Sequence, residues 1–222
     1  MSRPIVLASC LLATAPLAAA AQSPDSAAFV ILRGADTVAI EQVTRTATEI
    51  RGELDFRRNG ASEGYHAVLA PDATVPLVEI TVQEQPASEK ERARVAQRTR
   101  VIFRADSVAV DEASNHGLET RVLPTETGAI PYLNLSAGML EQTLRRAAVL
   151  GAGEVEVPLF NLSGSAKGAG QTVRAKLTRV GADSLALAIG AVEYRLRVDG
   201  SGRLLGGGIP AQGLSFARTS GS

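Results

Sequence analysis

Residues 171–198 read QTVRAKLTRVGADSLALAIGAVEYRLRV, and apolar and polar residues alternate through most of this stretch. Such alternation is typical of half-buried β-strands, because successive side chains of a strand point to opposite faces of the sheet. Short breaks at 181–183 and 190–191 divide the stretch into three strands. The sequence here therefore predicts a three-stranded antiparallel meander with one apolar and one polar face.

The first of these breaks belongs to a phrase that occurs three times. It reads GADTVAI at 34–40, RADSVAV at 104–110 and GADSLAL at 181–187. An Asp followed by a hydroxyl residue can hydrogen-bond its own backbone and close a tight turn. Since extended segments precede each phrase, the phrases predict three β-hairpins. Internal duplication and shared turn chemistry both explain the repetition.

Alternation continues at 50–56, 78–82 and 155–159, with a last short strand at 203–205. In total we predict about eleven to thirteen short strands. Glycine and proline are frequent beyond residue 205, so 206–222 is interpreted as a Gly/Pro-rich tail. Residues 84–98 are interpreted as a flexible segment.

One segment has helical periodicity instead. Asn134 or Ser136 can cap its start, and Gly151 stands where helices commonly end. The pattern predicts a helix from about 136 to 150, whose apolar stripe packs on the concave side of the sheet. The residues of that stripe are Leu135, Met139, Leu140, Leu144, Ala147 and Ala148.

These elements predict a mainly β protein of the α+β class, with one domain at 22–222. Its antiparallel strands would form a curved open sheet or partial barrel, with one amphipathic helix packed against it. In element order this architecture is similar to the fold of periplasmic lipoprotein carriers, a bent sheet closed by a helical cover. The resemblance implies a concave apolar surface and carries over no site residue.

The N-terminal residues have the pattern of a secretory signal peptide. Arg3 precedes an apolar run at 5–20, and Ala21 fits a small-residue cleavage site before Gln22. The run is shorter than the ~20 residues that a membrane-spanning helix needs. We therefore expect residues 1–21 to be removed, and the mature protein to be periplasmic or extracellular without a transmembrane segment.

Cys10 is the only cysteine of the chain. A rival interpretation makes residues 7–10 a lipoprotein processing box, but that leaves too few residues for the basic and apolar parts of a signal peptide. Removal of the signal peptide leaves no thiol. Disulfides, thiolate nucleophiles and cysteine-ligated metals are then excluded from the mature protein.

Composition argues against several classes of partner. Lys plus Arg and Asp plus Glu both total 23, so no excess of positive charge calls for a polyanion. Aromatic residues make up 4% of the chain, and Trp is absent. Surfaces that bind sugars or single-stranded nucleic acid use aromatic side chains for stacking. We expect no nucleic-acid partner.

The segment 89–105 is rich in arginine, and as an extended strand it places five arginines on one face. Guanidinium groups bind phosphate and carboxylate in a bidentate manner, so this stripe is a candidate contact for an anion or a partner. The alternative is a solvated structural face, in which Glu79 and Glu84 of a preceding strand pair with the arginines. The five residues are Arg92, Arg94, Arg98, Arg100 and Arg104.

Other motifs carry no chemistry. The glycine-rich loop at 164–170 lacks the order of a phosphate-binding loop, and neither His66 nor His116 has the spacing of a metal site. No serine has the context of an activated nucleophile. The Asp residues of the three hairpin phrases lack the glycine that aspartic proteases need beside them. We predict no catalytic residue, no metal ligand and no cofactor.

The function expected from these features is that of an exported, non-catalytic binding or carrier domain. An apolar or amphiphilic molecule would lie between sheet and helix, in contact with Leu140 and Leu144. The alternative is a structural or interaction protein that docks its strands to an envelope protein, and a hydrolase is a more distant third. A carrier should keep a cavity on the inner face, whereas a scaffold should fill it.

Overall fold

The computed structural model describes residues 24–84, 94–162 and 170–220. The predicted signal peptide with its cleavage site at Ala21 and Gln22 lies outside these residues. So do Arg92, most of the segment 84–98 and most of the glycine-rich loop 164–170.

The described residues form fifteen β-strands, one α-helix and one short 3-10 helix, Pro210–Gln212. The first eight strands are β1 (Asp25–Arg33), β2 (Asp36–Arg45), β3 (Glu49–Phe56), β4 (Ser62–Val68), β5 (Leu77–Glu84), β6 (Arg94–Phe103), β7 (Ser107–Ser114) and β8 (Gly117–Pro124). After them come β9 (Ile130–Tyr132), α1 (Ala137–Leu150), β10 (Val155–Asn161), β11 (Thr172–Arg179), β12 (Ser184–Ile189), β13 (Val192–Val198), β14 (Leu204–Ile209) and β15 (Leu214–Ser220).

All fifteen strands belong to one sheet, in the order β8-β7-β6-β5-β4-β3-β2-β1-β15-β14-β13-β12-β11-β10-β9. From β1 at the centre, the described chain runs outward strand by strand to the edge at β8, and crosses to the opposite edge at β9. After α1 it returns strand by strand until β15 pairs with β1. The crossing from β8 to β9 is one exception, and the parallel pair β9–β10, connected through α1, is another. Every other step is an antiparallel connection between neighbours, which explains why the sequence is dominated by alternation and turns.

The sheet curves strongly, although it does not close into a barrel. The ring of Phe103 on β6 meets the ring of Phe160 on β10 edge to face, with centroids 5.9 Å apart. Beyond β8, Thr125 shares a hydrogen bond of 2.8 Å with Thr172 at the start of β11. Strands that are distant in the sheet order therefore come together, while β8 and β9 remain edges that are not bonded to each other.

Helix α1 lies inside this curve. Ser136 is its N-cap, since its Oγ accepts the N–H of Met139 at 3.1 Å, and Gly151 follows its last residue. The predicted bounds and the cap at Ser136 are thus confirmed. Of the predicted apolar stripe, Met139, Leu140, Leu144 and Ala147 are buried, whereas Ala148 is exposed. Burial extends beyond the stripe, because Glu141, Gln142 and Thr143 are buried as well. The sheet surrounds the first turns of the helix on more than one side.

The mainly β prediction is confirmed, as are the hairpins at the three repeated phrases and the meander at 171–198. The α+β label does not fit a single fifteen-stranded sheet with one helix in the described residues. The interpretation of residues 206–222 as a tail left β15 out of the predicted strand count.

That interpretation is wrong for 206–220, since this segment completes β14 and forms β15 beside β1, at the centre of the sheet. The glycines have a packing role there. A Cβ on Gly207 would overlap the carbonyl oxygen of Arg195, and one on Gly208 would overlap that of Leu214. Only glycine allows the backbones to approach so closely, so the composition that suggested a tail reflects close strand packing.

Glycines also create a slot for Tyr65, which points inward from β4. Gly52 lies opposite it on β3, and Gly138 lies above it in the first turn of α1. A Cβ at either glycine would overlap the tyrosine side chain. The slot lets the Tyr65 hydroxyl reach the N-terminal end of the helix.

We expect Gly52→Ala to lower the free energy of unfolding by about 1–3 kcal/mol, because the new methyl group displaces the Tyr65 ring. Gly64→Ala is the matched control, since a Cβ there has its nearest neighbour at 3.9 Å. Chemical denaturation of both variants measures the difference. Equal stability of the two variants would contradict the slot.

Candidate functional site

The N-terminal end of α1 is held by a buried carboxylate on the sheet. Glu41 on β2 accepts the backbone N–H groups of Ala137 at 2.6 Å and Gly138 at 3.2 Å through Oε2. Its Oε1 accepts the hydroxyl groups of Ser136 at 2.6 Å and Tyr65 at 2.8 Å. Burial raises the pKa of Glu41, and these hydrogen bonds oppose that shift. The carboxylate thereby satisfies helix N–H groups that would otherwise lack acceptors.

A second polar cluster fixes the side of the helix. Glu141 accepts from Arg218 of β15 and from the backbone N–H of Leu204, both at 3.1 Å. Arg45 of β2 lies 3.6 Å from Glu141 and donates to Gln142 at 2.6 Å. Since each buried charge has several partners, the cluster orients α1 against both halves of the sheet.

The helix divides the concave face into two unequal spaces. Beneath α1, between β1, β9 and β13–β15, the space amounts to about 20 Å³. That volume holds about one water molecule, so this half is a filled core. Over β3–β8 there is a cavity of about 830 Å³, which we call the large cavity. Its volume lies in the range of small-molecule sites.

The large cavity has an apolar floor and a polar rim. Ile80, Val82 and Val110 belong to its floor, and residues 133–135 and 160–162 form the wall on the helix side. The polar side chains that line it include Glu63, Gln97, Thr99, Glu112, Glu119 and Arg121. This combination suits a molecule with an apolar body and a polar end.

Glu63 on β4 is the unusual member of the lining. Neither of its oxygens is hydrogen-bonded to protein in the part of the chain that the structure describes. Burial raises the pKa of Glu63 to about 7, and the negative charge of Glu41 acts in the same direction. By contrast, Arg121 on the rim lies 3.3 Å from Glu112 and 3.4 Å from Glu119. Glu63 is therefore available to a hydrogen-bonding group inside the cavity.

The partition between the two spaces is made by Leu133 and Leu135, which line both of them. Leu135 has a φ of 64°, a left-handed conformation that is uncommon for residues other than glycine. The Ser136 cap and its bond to Glu41 follow directly in the chain and hold this turn in place. The strained turn is thus part of the cavity wall.

The two leucines predicted to contact a ligand lie on the filled side. Leu140 lines the small space and is 6% exposed, and Leu144 is 5% exposed within the core. Neither lines the large cavity. Ligand contact by these residues stays a prediction, and their packing is that of core side chains.

The predicted arginine stripe is interrupted. On β6, Arg94 lies opposite Glu84 of β5, and Thr99 lies opposite Ile80 of β5. A bulge between Val95 and Gln97 shifts the register between these two pairs. The bulge moves Arg94 to the concave side, so the expectation of a single arginine face is wrong. Arg98 and Arg100 are exposed, with their neighbours Gln97 and Thr99 lining the cavity.

Arg100 lies 3.7 Å from Glu79, as the alternative interpretation expected, and both side chains are about half exposed. Arg104 follows β6 in the hairpin turn and is exposed. Anion binding by these arginines remains a prediction. Because Arg98 and Arg100 point away from the inner face, they do not form part of the large cavity.

No group of three or more His, Cys, Asp or Glu side chains within 24–84, 94–162 and 170–220 is arranged to hold a metal ion. No helix among the residues described is long and apolar enough to cross a membrane. His66 is paired with Glu49, since its Nε2 lies 2.8 Å from the Glu49 carboxylate.

Comparison with known proteins adds information on the fold. No family model and no curated protein matches the chain. The crystal structure of a DUF1089 family protein from Pseudomonas aeruginosa is similar, with a TM-score of 0.54 and 15% sequence identity. The similarity covers 77% of this chain and 89% of that one. At this identity it concerns the fold alone.

Sequence analysis missed Glu41 and Glu63. Each occupies an inward position of its strand, since Glu41 is in phase with the buried Ala39 and Glu63 with the buried Tyr65. An acidic residue in the apolar phase of a strand is the signal that could have identified both.

We expect Leu144→Ala to lower the free energy of unfolding by about 2–5 kcal/mol, because its side chain belongs to a filled core. Val149→Ala, at a position 54% exposed on the same helix, should cost about 0.5 kcal/mol or less. Thermal and denaturant unfolding compare the two. A cost for Leu144→Ala as small as that of the control would mean that Leu144 lines an open space.

Glu63 predicts a pH dependence of stability. Its pKa in the folded state, about 7, lies above the ordinary value of 4.5, so the folded state binds the proton more tightly than the unfolded state. Stability should therefore fall as the pH rises from 4.5 to about 7.

In Glu63→Gln this contribution should vanish, so the variant loses less stability than the wild type over that pH range. Thr99→Val, a non-titrating change in the same cavity, should keep the wild-type slope. Denaturant unfolding at several pH values gives the three slopes. Identical slopes for the wild type and Glu63→Gln would refute this role.

Proposed function

We propose that this protein is a non-catalytic carrier or binding domain for an amphiphilic molecule, whose apolar part lies in the large cavity. The observation that carries the proposal is the asymmetry of the concave face. One half leaves about 20 Å³ beneath the helix, and the other keeps about 830 Å³. A scaffold without a ligand gains stability by filling such a space, so a cavity that stays open between apolar and polar side chains favours a binding role.

The lining indicates the chemistry of the ligand. The floor at Ile80, Val82 and Val110 offers contact to hydrocarbon. The carboxyl of Glu63, which has no hydrogen-bond partner among the residues that the structure describes, offers a hydrogen-bonding site. Of the four charged side chains in the lining, three are acidic and one, Arg121, is basic. A polar end that donates hydrogen bonds fits this rim better than an anionic group does.

We further propose that the protein acts outside the cytoplasm. The apolar run at 5–20 and the small residues before Gln22 support export. N-terminal sequencing of the protein from its native cells should begin at Gln22, and a chain that starts at Met1 would contradict export.

A cavity-filling substitution tests the binding role. A phenylnaphthylamine dye, which fluoresces in apolar surroundings, serves as the probe. Val82→Trp should weaken dye binding by about tenfold or more, because the indole occupies the cavity. Leu205→Trp is the control, since Leu205 is an exposed strand residue outside the cavity lining.

Fluorescence titration of both variants and the wild type measures the three affinities. Binding by the wild type and the control, with loss in Val82→Trp, supports a ligand in the large cavity. No binding by the wild type, or equal binding by all three proteins, would overturn the proposal.

A further inference from the structure

Strand β8 is an edge of the sheet with an exposed apolar side. Within the residues described, it pairs only with β7. Leu118 is 75% exposed and Val122 is 63% exposed, both on the face opposite to Glu119 and Arg121, which line the large cavity. An exposed strand edge with apolar side chains is a template for pairing with another strand.

The backbone geometry determines which residues of β8 can form that pair. The N–H of Thr125 donates to the carbonyl of Asp106, in continuation of the β7–β8 register. Odd-numbered residues of β8 therefore direct their N–H and C=O groups toward β7. Leu118, Thr120 and Val122 direct theirs outward, to the open edge.

A two-fold antiparallel pair of β8 strands must place outward-directed groups against each other. Three registers meet this requirement near the middle of the strand, centred on residue 119, 120 or 121. Centring on 119 places Glu119 opposite the partner's Glu119, and centring on 121 places Arg121 opposite the partner's Arg121. Both juxtapose like charges, which destabilises a cross-strand pair.

The register centred on Thr120 pairs opposite charges on one face and apolar side chains on the other. Glu119 lies opposite the partner's Arg121, in the non-hydrogen-bonded positions where side chains are closest. Leu118 lies opposite the partner's Val122 on the outer face. The sequence Leu-Glu-Thr-Arg-Val at 118–122 is thus self-complementary about its central residue.

We propose that two copies of this chain associate through β8, antiparallel and with Thr120 on the two-fold axis. Leu118, Thr120 and Val122 of each copy exchange backbone hydrogen bonds with those of the other. Because Glu119 and Arg121 line the large cavity, the partner's β8 extends the rim of that cavity. The two sheets then form one continuous sheet, and each copy uses its β8 edge only once, so the assembly closes as a dimer.

Charge reversal tests the register. Glu119→Arg and Arg121→Glu each replace two complementary pairs by two like-charge pairs, so each should weaken the dimer by about tenfold or more. The double variant E119R/R121E restores opposite charges in this register and should dimerise as the wild type does. Analytical ultracentrifugation across a concentration series measures the dissociation constants.

A backbone variant tests the strand pairing separately. Thr120→Pro removes an outward N–H that β7 does not use, so the chain should fold as a monomer. Both variants lose the hydrogen bond from the Thr120 hydroxyl to Asp111. Thr120→Val keeps the outward N–H, so it should remain a dimer. Circular dichroism confirms folding in both variants.

A dimer that is lost in the single charge variants, restored in the double variant and lost again in Thr120→Pro establishes the interface. The proposal is overturned if the wild type stays monomeric up to about 100 µM. It is also overturned if these substitutions leave the dissociation constant of the dimer unchanged. The dye titration above is independent of this result, since the cavity exists within one copy.

Discussion

The hydrogen bonds between Glu41 and the first turn of α1 hold the rest of the structure in place. They attach the helix to the centre of the sheet, while Glu141 and Arg45 orient it along its length. Burying a carboxylate is costly unless several donors surround it, and the two helix N–H groups with the hydroxyls of Ser136 and Tyr65 meet that requirement. The glycine slot opposite Tyr65 exists to bring one of those donors within reach.

The position of the helix explains why the concave face is used in two ways. On the side of β9 and β13–β15, α1 fills the curve and leaves room for about one water molecule. Over β3–β8, beyond the wall at Leu133 and Leu135, the concave face keeps the large cavity. A single anchoring interaction thus produces both the core that stabilises the fold and the space that supports a binding function.

Much of the architecture could be predicted from the sequence, because alternation and turn chemistry are local properties. The three hairpin phrases, the meander at 171–198 and the capped helix after Ser136 all depend on neighbouring residues. Residues 206–220 could not be recognised as central strands, since the role of Gly207 and Gly208 depends on the backbones packed against them. The bulge that moves Arg94 to the other face likewise depends on the partner strand.

The site was less predictable for the same physical reason. Glu63 stands in the apolar phase of β4, but its lack of a hydrogen-bond partner among the described residues becomes apparent only when β3–β8 curve around the cavity. Leu140 and Leu144 were sought as ligand contacts because they lie on the helix stripe. The structure separates these two leucines from the large cavity by the turn at Leu135.

The most direct test of the binding role is the mass of the protein taken from the cells that make it, purified without detergent and recorded under native conditions. This account predicts a ligand-sized excess mass for each chain, which disappears on denaturation and identifies the class of the bound molecule. Two results together would contradict it. The protein would have the mass of the polypeptide alone, and it would bind no amphiphile that is added afterwards.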